Sequence, residues 1–191
     1  MLTEAIAVTT LVTDALEALS VTYAIGGSLA SAVHGVMRAT MDADLVAEVQ
    51  MKHIEPLVQA LGNAFYADVE MMREAVRQHS SFNVIHLDTM FKVDVFVAKP
   101  REFDRSQLAR RQSYVLSEDP LRRAYITSAE DIVLAKMEWY HIGGRISDRQ
   151  WRDILGVMKV QQDRLDHEYL RRMATTLGVS ELLEQALAEA A

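Results

Sequence analysis

The chain has 191 residues, half of them apolar, a quarter charged and none cysteine, with a formal net charge of −7. That length and composition support one sizeable core with a second, smaller lobe, and they exclude disulfides, thiolate zinc sites and cysteine nucleophiles. No stretch approaches the ~20 apolar residues that cross a bilayer, Glu4, Asp14 and Glu17 interrupt the N-terminal segment where a leader would be apolar, and the acidic balance argues against a broad nucleic-acid-coating surface, so the expectation is a cytoplasmic protein with no membrane partner.

In chain order, residues 2–19 have helical spacing, with Ile6, Leu11, Leu16 and Leu19 on a shared face. The β-branched and aromatic run "VTYAI" (21–25) predicts a buried strand, ended by Gly26-Gly27. Ser28 is a suitable N-cap for a helix through "LASAVHGV". "LVAEV" (45–49) is a second strand, and helices follow at 53–62 and 71–78. "FNVIHLD" (82–88) and "FKVDVFVA" (91–98) alternate about a short turn and predict a hairpin. Within it Val93, Val95 and Val97 take one face, and Lys92, Asp94 and Phe96 the other.

A helix at 101–110 and two extended pieces near 113–116 and 123–127 come next. Helical segments fill the tail at 128–140, 147–161, 166–178 and 180–191, the first opened by Ser128 as cap with Asp131 three residues on. The expected organisation is two lobes packed together with a soft boundary near residue 100, between 1–100 and 101–191, the second mainly helical.

Charge is unevenly spread. Residues 99–123 hold Lys99, Arg101, Arg105, Arg110, Arg111, Arg122 and Arg123 against Glu102, Asp104, Glu118 and Asp119, a local excess of three positive charges. Such a strip would steer a phosphate-bearing partner, although so modest an excess is more often a solvated surface with some ion pairs.

Chemistry concentrates at Asp42 and Asp44. Side chains two apart on a strand point to one face, and two carboxylates so close repel unless a cation lies between them. Asp94 is a lone acid between Val93 and Val95 and needs a partner. If its strand lies beside that of Asp44, three carboxylates converge. Such oxygen ligands suit Mg²⁺ held together with substrate phosphates, and a pair of ions ~4 Å apart would clamp an in-line phosphoryl displacement. The Gly26-Gly27-Ser28 turn before a helix lets backbone approach a phosphate, Ser28 adds a hydroxyl, and Arg38 is placed to pair with a phosphate.

Elsewhere the residues read more plainly. Lys136 beside Leu134 and Met137 is a surface lysine with a covered stem, and Asp153 beside Arg152 is part of a helix-surface ion pair. His34, His86 and His141 have no metal-ligand spacing and read as polar packing residues. Trp139, Tyr140 and Trp151 read as core anchors, and Gly143-Gly144 as a helix-ending link.

The ordered set of strand, "GGS" at 26–28, helix, Arg-x-Thr-x-Asp-x-Asp ending in "DAD" at 42–44, and "VDVF" at 93–96 resembles the polymerase-β-like nucleotidyltransferase superfamily. The resemblance implies an α+β fold, a small mixed sheet flanked by helices with a C-terminal helical lobe, and two Mg²⁺ ions and a nucleoside triphosphate (NTP) at the open edge of the sheet. Asp42, Asp44 and Asp94 would be the metal ligands, and Asp94 would also help deprotonate the attacking hydroxyl. Further on, "TSAEDIVLAKMEWYHIGGRISDRQWRDIL" is similar to a segment of the abortive-infection (AbiEii-like) toxin nucleotidyltransferases. That similarity implies that Lys136 contacts the triphosphate and that Asp153 orients it or the base. It departs from the family pattern at Ser128-Ala129, where Ser/Thr-Pro is usual, and around Arg149 to Arg152.

The expected function is therefore transfer of a nucleoside monophosphate from an NTP to a hydroxyl of an acceptor, the candidate acceptors being RNA such as tRNA, a protein or a small molecule. A toxin paired with an antitoxin protein is a compatible role. The alternative is a non-catalytic nucleotide-binding or regulatory partner that keeps the fold.

Overall fold

Alternation of buried and half-buried residues builds the centre of the sheet. In β2 (Asp42–Ala47), Ala43, Leu45 and Ala47 are buried while Asp42, Asp44 and Val46 are only partly covered. β5 (Phe91–Val97) repeats the pattern, with Phe91, Val93, Val95 and Val97 inward. The two strands pair in parallel, with Leu45 opposite Val95 and Asp44 opposite Asp94. A one-residue slip would turn every acid into the core, so the apolar rows fix the register.

This is a computed structural model, which describes residues 2–35, 40–118 and 121–190. Two compact units are present among these residues, 2–29 with 40–126 and 30–35 with 127–190.

The first unit holds a mixed sheet of seven strands among the described residues. The other strands are β1 (Tyr23–Ile25), β3 (Phe65–Ala67), β4 (Ser81–His86), β6 (Gln112–Glu118) and β7 (Leu121–Ile126), in the order β3-β4-β5-β2-β1-β7-β6. β1 runs antiparallel to β2 and parallel to β7, and the hairpins β4-β5 and β6-β7 extend the sheet on either side. The two extended pieces near 113–116 and 123–127 are thus full sheet strands. β3, three residues long, lies below the length at which alternation shows in a sequence.

Helix α1 (Leu2–Ala18) packs on β2, β5, β6 and β7. Its buried stripe is Ala5, Val8, Thr9, Val12 and Leu16, whereas Ile6 and Leu19 are half-buried and Leu11 is 42% exposed. The expected face of Ile6, Leu11, Leu16 and Leu19 is therefore corrected. Thr9 can line the core because its hydroxyl donates to the Ala5 carbonyl at 2.6 Å, leaving no donor unmet. α3 (Ile54–Leu61) packs on α1, and α4 (Val69–Gln78) on α3 and β4. Asp68 caps α4 by accepting from the Met71 N–H at 2.9 Å. α5 (Glu102–Ala109) lies against β1.

The second unit comprises α6 (Ala129–Ile142), α7 (Asp148–Gln161), α8 (His167–Leu177) and α9 (Ser180–Ala190), joined by the C-terminal part of α2 (Gly27–Val33) and residues 34–35. Ile132, Leu134, Met137, Ile154, Val157 and Leu170 are buried in it. Ser128 caps α6 and also donates to Asp131 at 2.7 Å, and Asp131 accepts from the Tyr169 hydroxyl on α8. Trp139, expected in the core, is 50% exposed, while Tyr140 and Trp151 pack ring to ring at 5.3 Å. No helix among the described residues is long and apolar enough to cross a membrane.

Candidate active site

The partly covered face of the sheet is where the acids gather. Asp42 and Asp44 share that face of β2 by strand alternation. The parallel pairing puts Lys92 directly opposite Asp42, and Asp94 directly opposite Asp44. On the far flank of β5, Asn83 of β4 stands opposite Asp94. Like charges facing each other across two strands destabilise a sheet, and Lys92 beside Asp94 offsets part of that repulsion.

The glycine turn meets the same point. The Gly26 N–H donates to the Asp44 carbonyl at 2.8 Å. Gly27 has φ +53°, and a Cβ placed on it would fall 1.8 Å from Asp44 Oδ2. Only glycine lets the chain turn here with the carboxylate against its α-carbon. The start of α2 and the second acid of Asp-x-Asp, 17 positions apart in sequence, are in direct contact.

Ser28 is corrected in one respect. α2 begins at Gly27, so Ser28 lies in its first turn and is buried, not a cap ahead of it. With seven residues in α2, the helix dipole is small, and the turn's backbone carries the weight of any phosphate argument. Arg38 lies outside the described residues.

Thr40 and Lys92 belong to the cluster although neither was singled out from the sequence. Thr40 Oγ1 donates to the Asp42 carbonyl at 2.7 Å and to Asp42 Oδ1 at 3.1 Å, fixing the first carboxylate. Lys92 Nζ lies 2.6 Å from Asp94 Oδ2. The Asp94 hydrogen bond raises the ammonium above its ordinary pKa; partial desolvation opposes this, and the charges of Asp94, Asp42 and Asp44 add to it. The signal was in the sequence: Lys92 sits two before Asp94 on an alternating strand and must share its face.

These side chains suit Mg²⁺ in kind, being hard oxygen donors. Among the described residues no group of three His, Cys, Asp or Glu forms a ready-made metal cage. Mg²⁺ does not require one, since it keeps several waters and is held by one or two carboxylates plus substrate phosphates.

Lys136 and Asp153 lie in the second unit, on α6 and α7. They pair with each other, Nζ to Oδ2 at 2.9 Å, with side chains only 10% and 6% exposed. The surface-lysine reading of Lys136 and the Arg152 pairing of Asp153 are both replaced by this buried bridge. His34, also buried, has its Nε2 2.7 Å from the Thr127 carbonyl. Desolvation lowers its pKa, with the Thr127 bond and the charge of Glu130 opposing.

The basic strip is partly engaged inside the first unit. Arg101 pairs with Asp104, Arg122 with Asp14 at 3.2 Å, and Arg111 stacks 4.7 Å from the Tyr125 ring while donating to the Leu108 carbonyl.

No family model and no curated protein matches the chain. Solved structures do. An antigenic nucleotidyltransferase-like protein from Paracoccidioides brasiliensis aligns with a TM-score of 0.53 at 18% identity, over 95% of this chain and 91% of its own. The antibiotic-resistance factor ANT(2'')-Ia aligns with a TM-score of 0.58 at 15% identity, over 99% of this chain and 100% of its own. The lincosamide antibiotic adenylyltransferase LnuA gives 0.49 at 16% identity, over 77% and 92%. With its mixed seven-strand sheet, flanking helices and C-terminal helical region, this chain has a nucleotidyltransferase-like fold.

Proposed function

We propose that the chain is a Mg²⁺-dependent nucleotidyltransferase, moving the nucleoside monophosphate of an NTP onto an acceptor hydroxyl. The observation that carries the proposal is the seating of Gly27 against Asp44, with Asp94 directly opposite on the neighbouring strand. A turn that backbone phosphate binding requires and a carboxylate set that a phosphate-bound cation requires occupy one spot. The fold shared with the Paracoccidioides protein and with ANT(2'')-Ia supports the same class of chemistry.

In this reading the backbone at Gly26 and Gly27 approaches the β- and γ-phosphates, and Ser28 supports that turn from inside the first turn of α2. Asp42, steadied by Thr40, and Asp44 and Asp94 hold the metal. Bound Mg²⁺ supplies charge neutralisation for the reacting phosphates. Asp94 accepts the proton of the attacking hydroxyl. The hydroxyl oxygen bonds to the α-phosphorus, the bond from that phosphorus to the bridging oxygen breaks, and pyrophosphate leaves with the electron pair. No covalent enzyme intermediate is needed, so catalysis is positioning and electrostatics.

Incubation with each NTP labelled at the α-phosphate, together with RNA, protein and small-molecule pools, tests the proposal. Label should enter one acceptor class in the wild type and be absent with Asp42→Asn or Asp94→Asn. Unchanged transfer by the double variant would refute it. A second reading draws on the Lys92–Asp94 contact, which could hold the site inactive: a nucleotide-binding regulatory partner. NTP binding without transfer to any acceptor would select it. Growth arrest on expression, relieved by a partner protein, would add the toxin role.

A further inference from the structure

Lys92 is a charged residue of this face that the proposed reaction leaves without a task. It lies opposite Asp42, two positions before Asp94 on the same face, and its ammonium touches Asp94. Asp44 faces Asp94 directly. Without a cation, this arrangement sets carboxylates against one another at strand spacing. One positive charge in their midst offsets that repulsion.

The kind of cation matters. Lysine is a compact point charge on a flexible stem, unlike the planar fork of arginine. The Lys92 side chain is 41% exposed, whereas Asp94 is 19% exposed. The amine can therefore swing to solvent while the carboxylate stays in place.

We propose that Lys92 is a built-in counter-ion: it pairs with Asp94 and offsets part of the aspartates' charge when no metal is bound and gives way when a divalent cation arrives, so that the site's metal affinity is set by competition with its own ammonium group. The inference rests on the metal-site reading of Asp42, Asp44 and Asp94. It adds that the chain weakens its own site, keeping Asp94 paired until metal and nucleotide come together.

Mn²⁺ titration, followed by electron paramagnetic resonance of the free ion, tests it without any turnover. Lys92→Met should bind Mn²⁺ about fivefold more tightly than wild type, the size a partly exposed ion pair supports. Lys92→Arg should bind no more tightly than wild type. Lys52→Met, which removes the same charge beyond the other end of β2, should stay at the wild-type value. In the unaltered chain, saturating Mn²⁺ should raise the acetylation rate of Lys92, read by peptide mass spectrometry. Equal or weaker binding by Lys92→Met, or acetylation of Lys92 indifferent to Mn²⁺, would overturn the counter-ion role while loss of binding in Asp94→Asn upheld the metal site. No Mn²⁺ binding by wild type and Lys92→Met alike would overturn both.

Discussion

At Gly27 a methyl group would have to displace the carboxylate of Asp44, and the backbone there is left-handed. Gly27→Ala should cost about 1–2 kcal/mol from backbone conformation alone, and it should abolish Mg²⁺-dependent NTP binding by pushing Asp44 aside. Gly26→Ala is the control for stability, since its Cβ would meet nothing nearer than the Asp44 carbonyl oxygen at 3.8 Å. Thermal melts of the pair should separate them, Gly26→Ala melting near wild type, and an NTP titration of Gly27→Ala checks the loss of binding. His34 carries a different expectation. Burial lowers its folded pKa, while the unfolded chain takes up a proton near pH 6.5, at roughly the model-peptide value. The unfolded state then binds more protons, so stability falls as pH drops from about 6.5 toward the lowered folded value and levels off below it. Urea unfolding at pH 7.5 and below 6 should show this loss, and His34→Gln should reduce it.

Among the elements, the buried bridge from α6 to α7 is the sharpest case. Lys136→Met takes the ammonium away from a buried carboxylate, so it should destabilise by about 3–5 kcal/mol. The double variant Lys136→Met, Asp153→Leu should recover part of that in urea unfolding, because the buried carboxylate is removed with its lysine. The sequence showed both residues without showing their bond. They lie 17 positions apart on separate helices, and nothing local encodes which helix faces which. Long alternating strands were legible for the opposite reason: β5 buries every second residue, so its pattern states its own geometry. α1 was legible as a helix but not as a face, because Thr9 and Thr13 are buried with their hydroxyls turned back onto α1's own carbonyls, which residue polarity alone conceals.

For the molecule as a whole, the order of motifs carried more than any single one. Asp-x-Asp and a glycine pair are common turns in isolation, and their contact across 17 residues follows from the antiparallel pairing of β1 with β2. Asp94 joins them through the parallel pairing of β2 with β5, a long-range choice that alternation permits without dictating. Lys92 was legible as a face-mate of Asp94, yet its place opposite Asp42 needed the register. These aspartates and the Gly27 turn are proposed to bind a metal–nucleotide complex. The most direct measurement is the melting temperature of the wild type and of the Asp42→Asn, Asp94→Asn double variant with saturating NTP and Mg²⁺. A ligand that binds the folded chain alone raises the wild-type midpoint, by about 2.7 kcal/mol of stability at a hundred times its Kd, and leaves the double variant unmoved. A wild-type midpoint indifferent to NTP plus Mg²⁺, or an equal rise in the variant, would contradict it.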